Sequence, residues 1–109
     1  MTFEEYSREA NKTATQGAKK HQLFYPALGL AGETGEVIER IKKVFRDKDG
    51  RVDEAERIEI IKELGDVLWY LNRIATDLGV AFEEVPQANI KKLHSRLRRG
   101  KIHGSGNNR

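Results

Sequence analysis

Two long stretches of this chain repeat apolar residues in alternating steps of four and three, and no other feature constrains the fold as much. In the first, Ala27, Ala31, Thr34, Ile38, Ile41 and Phe45 form a seam that Leu30, Val37 and Val44 widen. In the second, Ile60, Leu64, Val67, Leu71, Ile74 and Leu78 do the same, reinforced by Ile61, Leu68 and Ala75. That spacing is the period of an α-helix with one apolar face. No strand-like alternation stands out, so the predicted fold class is all-α. Apolar stripes this wide predict a four-helix bundle that completes its core by oligomerisation.

Caps set the helix boundaries. Thr2 and Glu5 have the spacing of a capping box, which starts a first helix running to about Thr15 and ending near Gly17. Ala18 to Tyr25 is then a connector, and Pro26 suits the first turn of a second helix that reaches Arg46. Asp49-Gly50 supplies turn chemistry. Asp53 with Glu56 opens a third helix, which ends at about Leu78 with Gly79 just past it. That helix spans about 39 Å at 1.5 Å per residue, which makes the bundle elongated. A fourth helix covers roughly Phe82 to Arg99, with Pro86 setting off a short first turn and Gly100 stopping it. Residues 1–100 thus read as one helical domain and residues 101–109 as a flexible tail.

A polar seam runs beside each apolar one. It carries Glu33, Glu36, Arg40 and Lys43 on the second helix, and Glu59, Glu63, Asp66, Tyr70, Arg73 and Asp77 on the third. Glu33-x-x-Glu36 and Glu63-x-x-Asp66 each place two carboxylates one turn apart on a single face. Antiparallel helices joined at Asp49-Gly50 could aim all four at one point. Carboxylates that close repel, and hard divalent ions such as Mg²⁺ or Mn²⁺ take oxygen donors of this kind. The alternative is a pair of solvated acidic faces with partners such as Glu36–Arg40. Spacing alone leaves both open. Gly32 and Gly35, weak helix formers by about 1 kcal/mol each against Ala, would let a neighbouring helix or a ligand come close.

Composition narrows the function classes. The chain has no Cys, which excludes disulfides, zinc thiolate sites and a Cys nucleophile and fits a reducing cytosol. No apolar run approaches the roughly 18 residues that span a bilayer, and MTFEEYSREANK is too acidic and polar for a signal peptide. A cytoplasmic protein without a membrane partner is expected. The net charge of +3 is unevenly spread, with Lys91, Lys92, Arg96, Arg98, Arg99, Lys101 and Arg109 crowding the last fifth. Such a cluster serves nucleic acid or anionic small molecules, or is a solvated basic helix. No nucleic-acid motif accompanies it, so a helical nucleic-acid-binding module without catalysis ranks second among the functions.

Three blocks occur in order: Leu30-Ala31-Gly32-Glu33-Thr34-Gly35-Glu36-Val37, Lys62-Glu63-Leu64-Gly65-Asp66-Val67 and Asn89-Ile90-Lys91-Lys92-Leu93-His94-Ser95-Arg96. Together they resemble the MazG-like nucleotide pyrophosphohydrolases of the all-α NTP pyrophosphohydrolase superfamily, over about residues 20 to 109. The resemblance implies hydrolysis of a nucleoside triphosphate, ribo or deoxyribo, between the α and β phosphates, and a house-cleaning role in the nucleotide pool. It implies Mg²⁺, with Mn²⁺ a possible substitute, and a homo-oligomer, a tetramer in preference to a dimer. Carried over position by position, Glu33, Glu36, Glu63 and Asp66 are the implied metal ligands. Glu36, in preference to Glu33, is expected to orient or deprotonate the attacking water.

Cations must meet the β and γ phosphates, and Lys62, Lys92 and Arg96 are the candidates. Tyr70 either stacks on the base or packs at the helix interface, whereas Trp69 reads as buried or at a subunit contact. The resemblance suggests Asn89 for the sugar or base. His21, twelve residues before Glu33, resembles a His of the dCTP pyrophosphatase branch. One departure is clear: many relatives end the fourth helix in an aromatic-Pro pair, but here the chain runs on as Gly100-Lys101-Ile102-His103-Gly104-Ser105-Gly106-Asn107-Asn108-Arg109. Full-length MazG carries two such domains, and this chain has room for one.

Overall fold

The computed structural model describes residues 1–109 and contains five helices and no strand. They are α1 (Phe3–Asn11), α2 (Gln16–Lys20), α3 (Phe24–Lys48), α4 (Glu54–Asp77) and α5 (Glu84–Arg98). The capping box of α1 is complete: Glu5 N donates to Thr2 Oγ1 at 3.0 Å and Thr2 N to the Glu5 carboxylate at 3.4 Å. α1 stops at Asn11, short of the expected Thr15, because Thr15 caps a new helix by accepting from Ala18 N. The expected connector therefore holds most of α2, with Ala18 buried.

α3 begins two residues before Pro26, which lies buried in its first turn. Leu23 at its head has φ +66°, and its N–H donates to Asp77 Oδ2 at 2.9 Å. A carboxylate from α4 thus holds the bend that launches α3. At the other end, Asp49 and Gly50 both adopt positive φ and turn the chain into α4. Asp53 accepts from Glu56 N at 2.8 Å, but the Glu56 carboxylate turns toward Arg40 (3.5 Å) and Lys48 (3.6 Å), so no second capping box forms. α5 starts at Glu84 rather than Phe82; Ala81 N donates to Glu84 Oε2 at 2.7 Å at this start, and the buried Phe82 ring packs edge-on against Phe3 at 5.2 Å.

The antiparallel α3–α4 hairpin supplies most of the inter-helix packing. α1 lies on α4 and α2 on α3, while α5 packs extensively against none of the others. The radius of gyration is 16.7 Å, against about 13 Å for a compact chain of this length. A single chain therefore does not close a four-helix bundle. Arg40 reaches Glu56 and Glu63 on α4, so the α3 face in the hairpin is that of Glu33, Val37, Arg40 and Val44. The seam expected to be the core lies largely outside it: Ile38 is 62% and Phe45 77% exposed, and Ile41, Ile61, Leu64 and Leu78 are exposed as well.

A polar network ties α1 to α4. Asn72, fully buried, donates to Asn11 Oδ1 at 3.0 Å, and Asn11 donates to Thr76 Oγ1 at 3.1 Å. Arg73 pairs with Asp77 at 3.0 Å, and Trp69 Nε1 donates to Thr13 Oγ1 at 2.7 Å. No helix is long and apolar enough to cross a membrane.

Candidate metal centre

The hairpin brings one carboxylate oxygen from each of Glu33, Glu36 and Glu63 within 4.8 Å of the other two. Close approach of α3 and α4 beside this point depends on Gly29: a methyl group there would fall inside the Tyr70 ring. Gly32 and Gly35, the glycines expected to admit a neighbour, face open space in the single chain. Burial, then the charges of Glu36, Asp66 and Glu63, push the Glu33 carboxyl above its ordinary range. Asp66 lies outside the close trio, yet after burial its charge raises the pKa of Tyr6, and it adds to burial, Tyr25 and Glu33 in raising that of Tyr70. Three converging oxygen donors, one of them resisting ionisation, fit a hard divalent cation.

A cleft of about 220 Å³ opens beside the trio, lined by Glu36, Glu39, Arg40, Lys43, Glu56 and Glu63. Arg40 does not pair with Glu36 along its own helix. It spans to Glu63 at 3.4 Å and to Glu56 at 3.5 Å, both long contacts. Glu56 Oε2 is buried and the Arg40 contact is too long to count as a hydrogen bond, so the carboxylate is under-satisfied. Sequence reasoning read Glu56 only as a cap and did not single out Glu39 as a site residue. The signal was available: Glu56 precedes Glu63 by seven residues, two turns along the same face.

The expected substrate residues are dispersed. Tyr70 is half-buried over Gly29, between Tyr25 at 6.5 Å and the edge of Trp69 at 5.0 Å. Lys62 is exposed and pairs with Glu59 at 2.7 Å, whereas Lys43 is the lysine that lines the cleft. His21 is exposed at the end of α2, and Asn89 is exposed on α5. Lys92 and Arg96 also lie on α5 and contact the last residues of the chain: Lys92 Nζ donates to Asn107 Oδ1 at 3.2 Å, and Arg96 to Gly106 O and Asn107 O, each at 3.0 Å. Within one chain, α5 does not deliver them to the carboxylate cleft.

An all-helical chain whose two longest helices converge carboxylates on one point belongs among helical proteins suited to holding a cation. Comparison with known families makes this specific. The sequence profile of the MazG nucleotide pyrophosphohydrolase domain matches residues 24–100. The chain belongs to that family. The match takes in α3, α4 and α5 and leaves α1, α2 and residues 101–109 outside. The Gene 37 protein of Mycobacterium phage L5 is 47% identical over 87 residues, which are 80% of this chain and 76% of the phage protein. No solved structure matches.

Proposed function

We propose that the protein is a Mg²⁺-dependent pyrophosphohydrolase that cleaves a nucleoside triphosphate, ribo or deoxyribo, between its α and β phosphates, releasing a monophosphate and pyrophosphate. The observation that carries this reading is the Glu33–Glu36–Glu63 trio, held within 4.8 Å by the two helices that the family profile spans. Glu33, Glu36, Glu63 and Asp66 are the proposed ligands, and Mn²⁺ is a plausible substitute because it accepts the same oxygen donors. Bound there, the ion would neutralise phosphate charge and lower the pKa of a coordinated water.

The chain's own residues then have separable tasks. Glu36, the exposed member of the trio, is the proposed residue to orient the attacking water or accept its proton, ahead of the half-buried Glu33. Arg40 and Lys43 border the cleft and can meet phosphate oxygens there. Tyr70, next to Trp69, is the proposed residue to stack on the base. The α5 residues Asn89, Lys92 and Arg96 join such a site only when an α5 lies across the hairpin. The exposed apolar side chains of Ile38, Ile41, Phe45, Ile61 and Leu64 support an oligomer, and the preference for a tetramer over a dimer rests on the family resemblance alone. Clearing surplus or non-canonical nucleotides is the matching biological role.

The test is a panel of ribo- and deoxyribonucleoside triphosphates with Mg²⁺ or Mn²⁺, read out as monophosphate plus pyrophosphate. Cleavage that disappears in Glu36→Gln, with folding retained, is the expected result. Release of inorganic phosphate instead of pyrophosphate, or no cleavage with either ion, overturns it.

A further inference from the structure

Arg40 stands between two carboxylates of α4 that lie two turns apart, and it holds neither closely. Its Nε and Nη2 both donate to Glu63 Oε1 at 3.4 Å, and its Nη1 lies 3.5 Å from Glu56 Oε2. Guanidinium–carboxylate pairs ordinarily close to about 2.7–2.9 Å. Glu56 Oε2 is nonetheless buried and has no hydrogen-bond partner. The other oxygen of Glu56 faces Lys48 at 3.6 Å, and Lys48 itself is drawn to Asp53 at 2.8 Å. The side chains of Arg40, Glu56 and Glu63 are only 31%, 21% and 18% exposed, so water has limited means to replace a missing partner. An acceptor taken out of water and left without a donor costs stability, and the donor that can reach this one is Arg40.

The two carboxylates differ in one respect. Glu63 belongs to the trio whose oxygens converge within 4.8 Å, and Glu56 does not. Arg40 therefore joins a carboxylate that a cation would use to one that it would leave free. In the metal-free chain the guanidinium offsets part of the repulsion among Glu33, Glu36 and Glu63. A divalent ion offsets it more strongly, and two cations on the same carboxylate repel each other. Closing the Arg40–Glu56 gap from 3.5 Å to an ordinary hydrogen bond takes a movement of about 0.6 Å.

We infer that Arg40 is an internal counter-ion of the metal centre that exchanges between two partners, resting on Glu63 in the metal-free chain and passing to Glu56 when a divalent cation takes Glu63. Arg40 and Glu56 are positioning residues, and neither is a metal ligand. The apparent affinity for the cation is its intrinsic affinity scaled by the fraction of chains in which Glu63 stands free. Glu56 raises that fraction by offering Arg40 a second seat. The inference rests on the cation site proposed above and does not depend on the nucleotide reaction.

The experiment is a Mn²⁺ titration of the full-length chain without nucleotide, with the free ion read by electron paramagnetic resonance. It compares wild type, Arg40→Gln, Glu56→Gln and the double variant, each checked for retained helical circular dichroism. Arg40→Gln should bind Mn²⁺ about tenfold more tightly, because no guanidinium competes for Glu63. An Arg40 that merely braced the hairpin would give weaker binding on removal. Glu56→Gln should weaken binding about fivefold, the upper end for a partly exposed pair, and should have almost no effect in the Arg40→Gln background. In wild type, Mg²⁺ should also quicken solvent exchange of the Arg40 Nε–H, which loses its Glu63 acceptor. Equal effects of Glu56→Gln in both backgrounds, weaker binding in Arg40→Gln, or an unchanged Nε–H exchange rate overturns the exchange and leaves the metal site standing. No Mn²⁺ binding in any of the four chains removes the metal site, and the exchange with it.

Discussion

Replacing Glu63 with Gln should stabilise the metal-free protein and remove its response to magnesium. The Glu63 oxygen lies within 4.8 Å of oxygens on Glu33 and Glu36. At that separation two like charges repel by about 0.9 kcal/mol in water and about 3.5 kcal/mol at an effective dielectric of 20. Glu36 is exposed and Glu33 half-buried, so both pairs lie toward the lower figure. Against this relief stands the loss of the 3.4 Å Arg40–Glu63 contact, a partly exposed ion pair worth about 0–1 kcal/mol. The balance is a variant more stable than wild type by about 1 kcal/mol in EDTA. Magnesium inverts the order. Wild type gains about 2.7 kcal/mol when the free ion reaches about 100 times its Kd, whereas a site short of a ligand gains little. Thermal melts followed by far-UV circular dichroism, in EDTA and across a magnesium series, read both effects. For a domain of this size each 1 kcal/mol moves Tm by about 4–8 °C. A variant that melts below wild type in EDTA refutes the repulsion argument. One whose Tm climbs with magnesium as far as wild type's refutes the ligand assignment.

Three further outcomes follow from contacts in and around the hairpin. The Glu33 carboxyl is raised, so the folded protein holds its proton more tightly than the unfolded chain. Its contribution to stability is complete below the unfolded pKa and is lost as pH rises through the folded one. Urea melts of the metal-free protein should show stability falling with pH across that window, with a flatter profile in Glu33→Gln. Asp77→Ala strips the buried Arg73 of its partner and Leu23 N of its acceptor; with the Asp77 side chain 0% exposed, denaturant titration should show a loss of about 3–5 kcal/mol. Gly29→Ala drives a methyl group into the Tyr70 ring, and overpacking of about 1–3 kcal/mol should exceed the helix-propensity gain of about 1 kcal/mol. In a Tyr70→Ala background the same substitution should become stabilising.

How much of this was legible in the sequence depended on whether the signal was local. α3 and α4 were readable to within two residues at each end because their period is long and their ends carry Pro26, Asp53 and Gly79. α2 escaped notice because five residues offer no period, and only the hydroxyl of Thr15 marks where it starts. The carboxylate trio was legible as a possibility: spacing put two acids on one face of each helix, but only the hairpin shows the faces meeting. Asp77 and Arg73 fell on the polar seam and had no partner assigned to them. Their period is that of a surface, yet Asp77, besides pairing with Arg73, accepts from the backbone of Leu23, fifty-four residues away. Periodicity records that a face is polar and says nothing of what satisfies it.

The misread core teaches the complementary point. Ile38, Ile41 and Phe45 repeat as a buried face should, yet lie exposed, while Arg40 and Glu33 occupy the hairpin interface. A stripe of apolar residues encodes burial in whatever assembly the chain adopts, and one chain displays only part of that assembly. α3 therefore carries two unmet demands on adjoining faces, one for a cation and one for apolar cover. In the oligomer proposed above, a second chain packed on the Ile38–Phe45 face would restrict how α3 rolls against α4, and so fix the spacing of Glu33 and Glu36 from Glu63. Cation affinity and subunit association are then linked, each strengthening the other by the same factor. The apparent affinity for Mg²⁺, measured at rising protein concentration, should tighten as the oligomer forms. An affinity independent of concentration through that transition would mean that the hairpin alone sets the metal site.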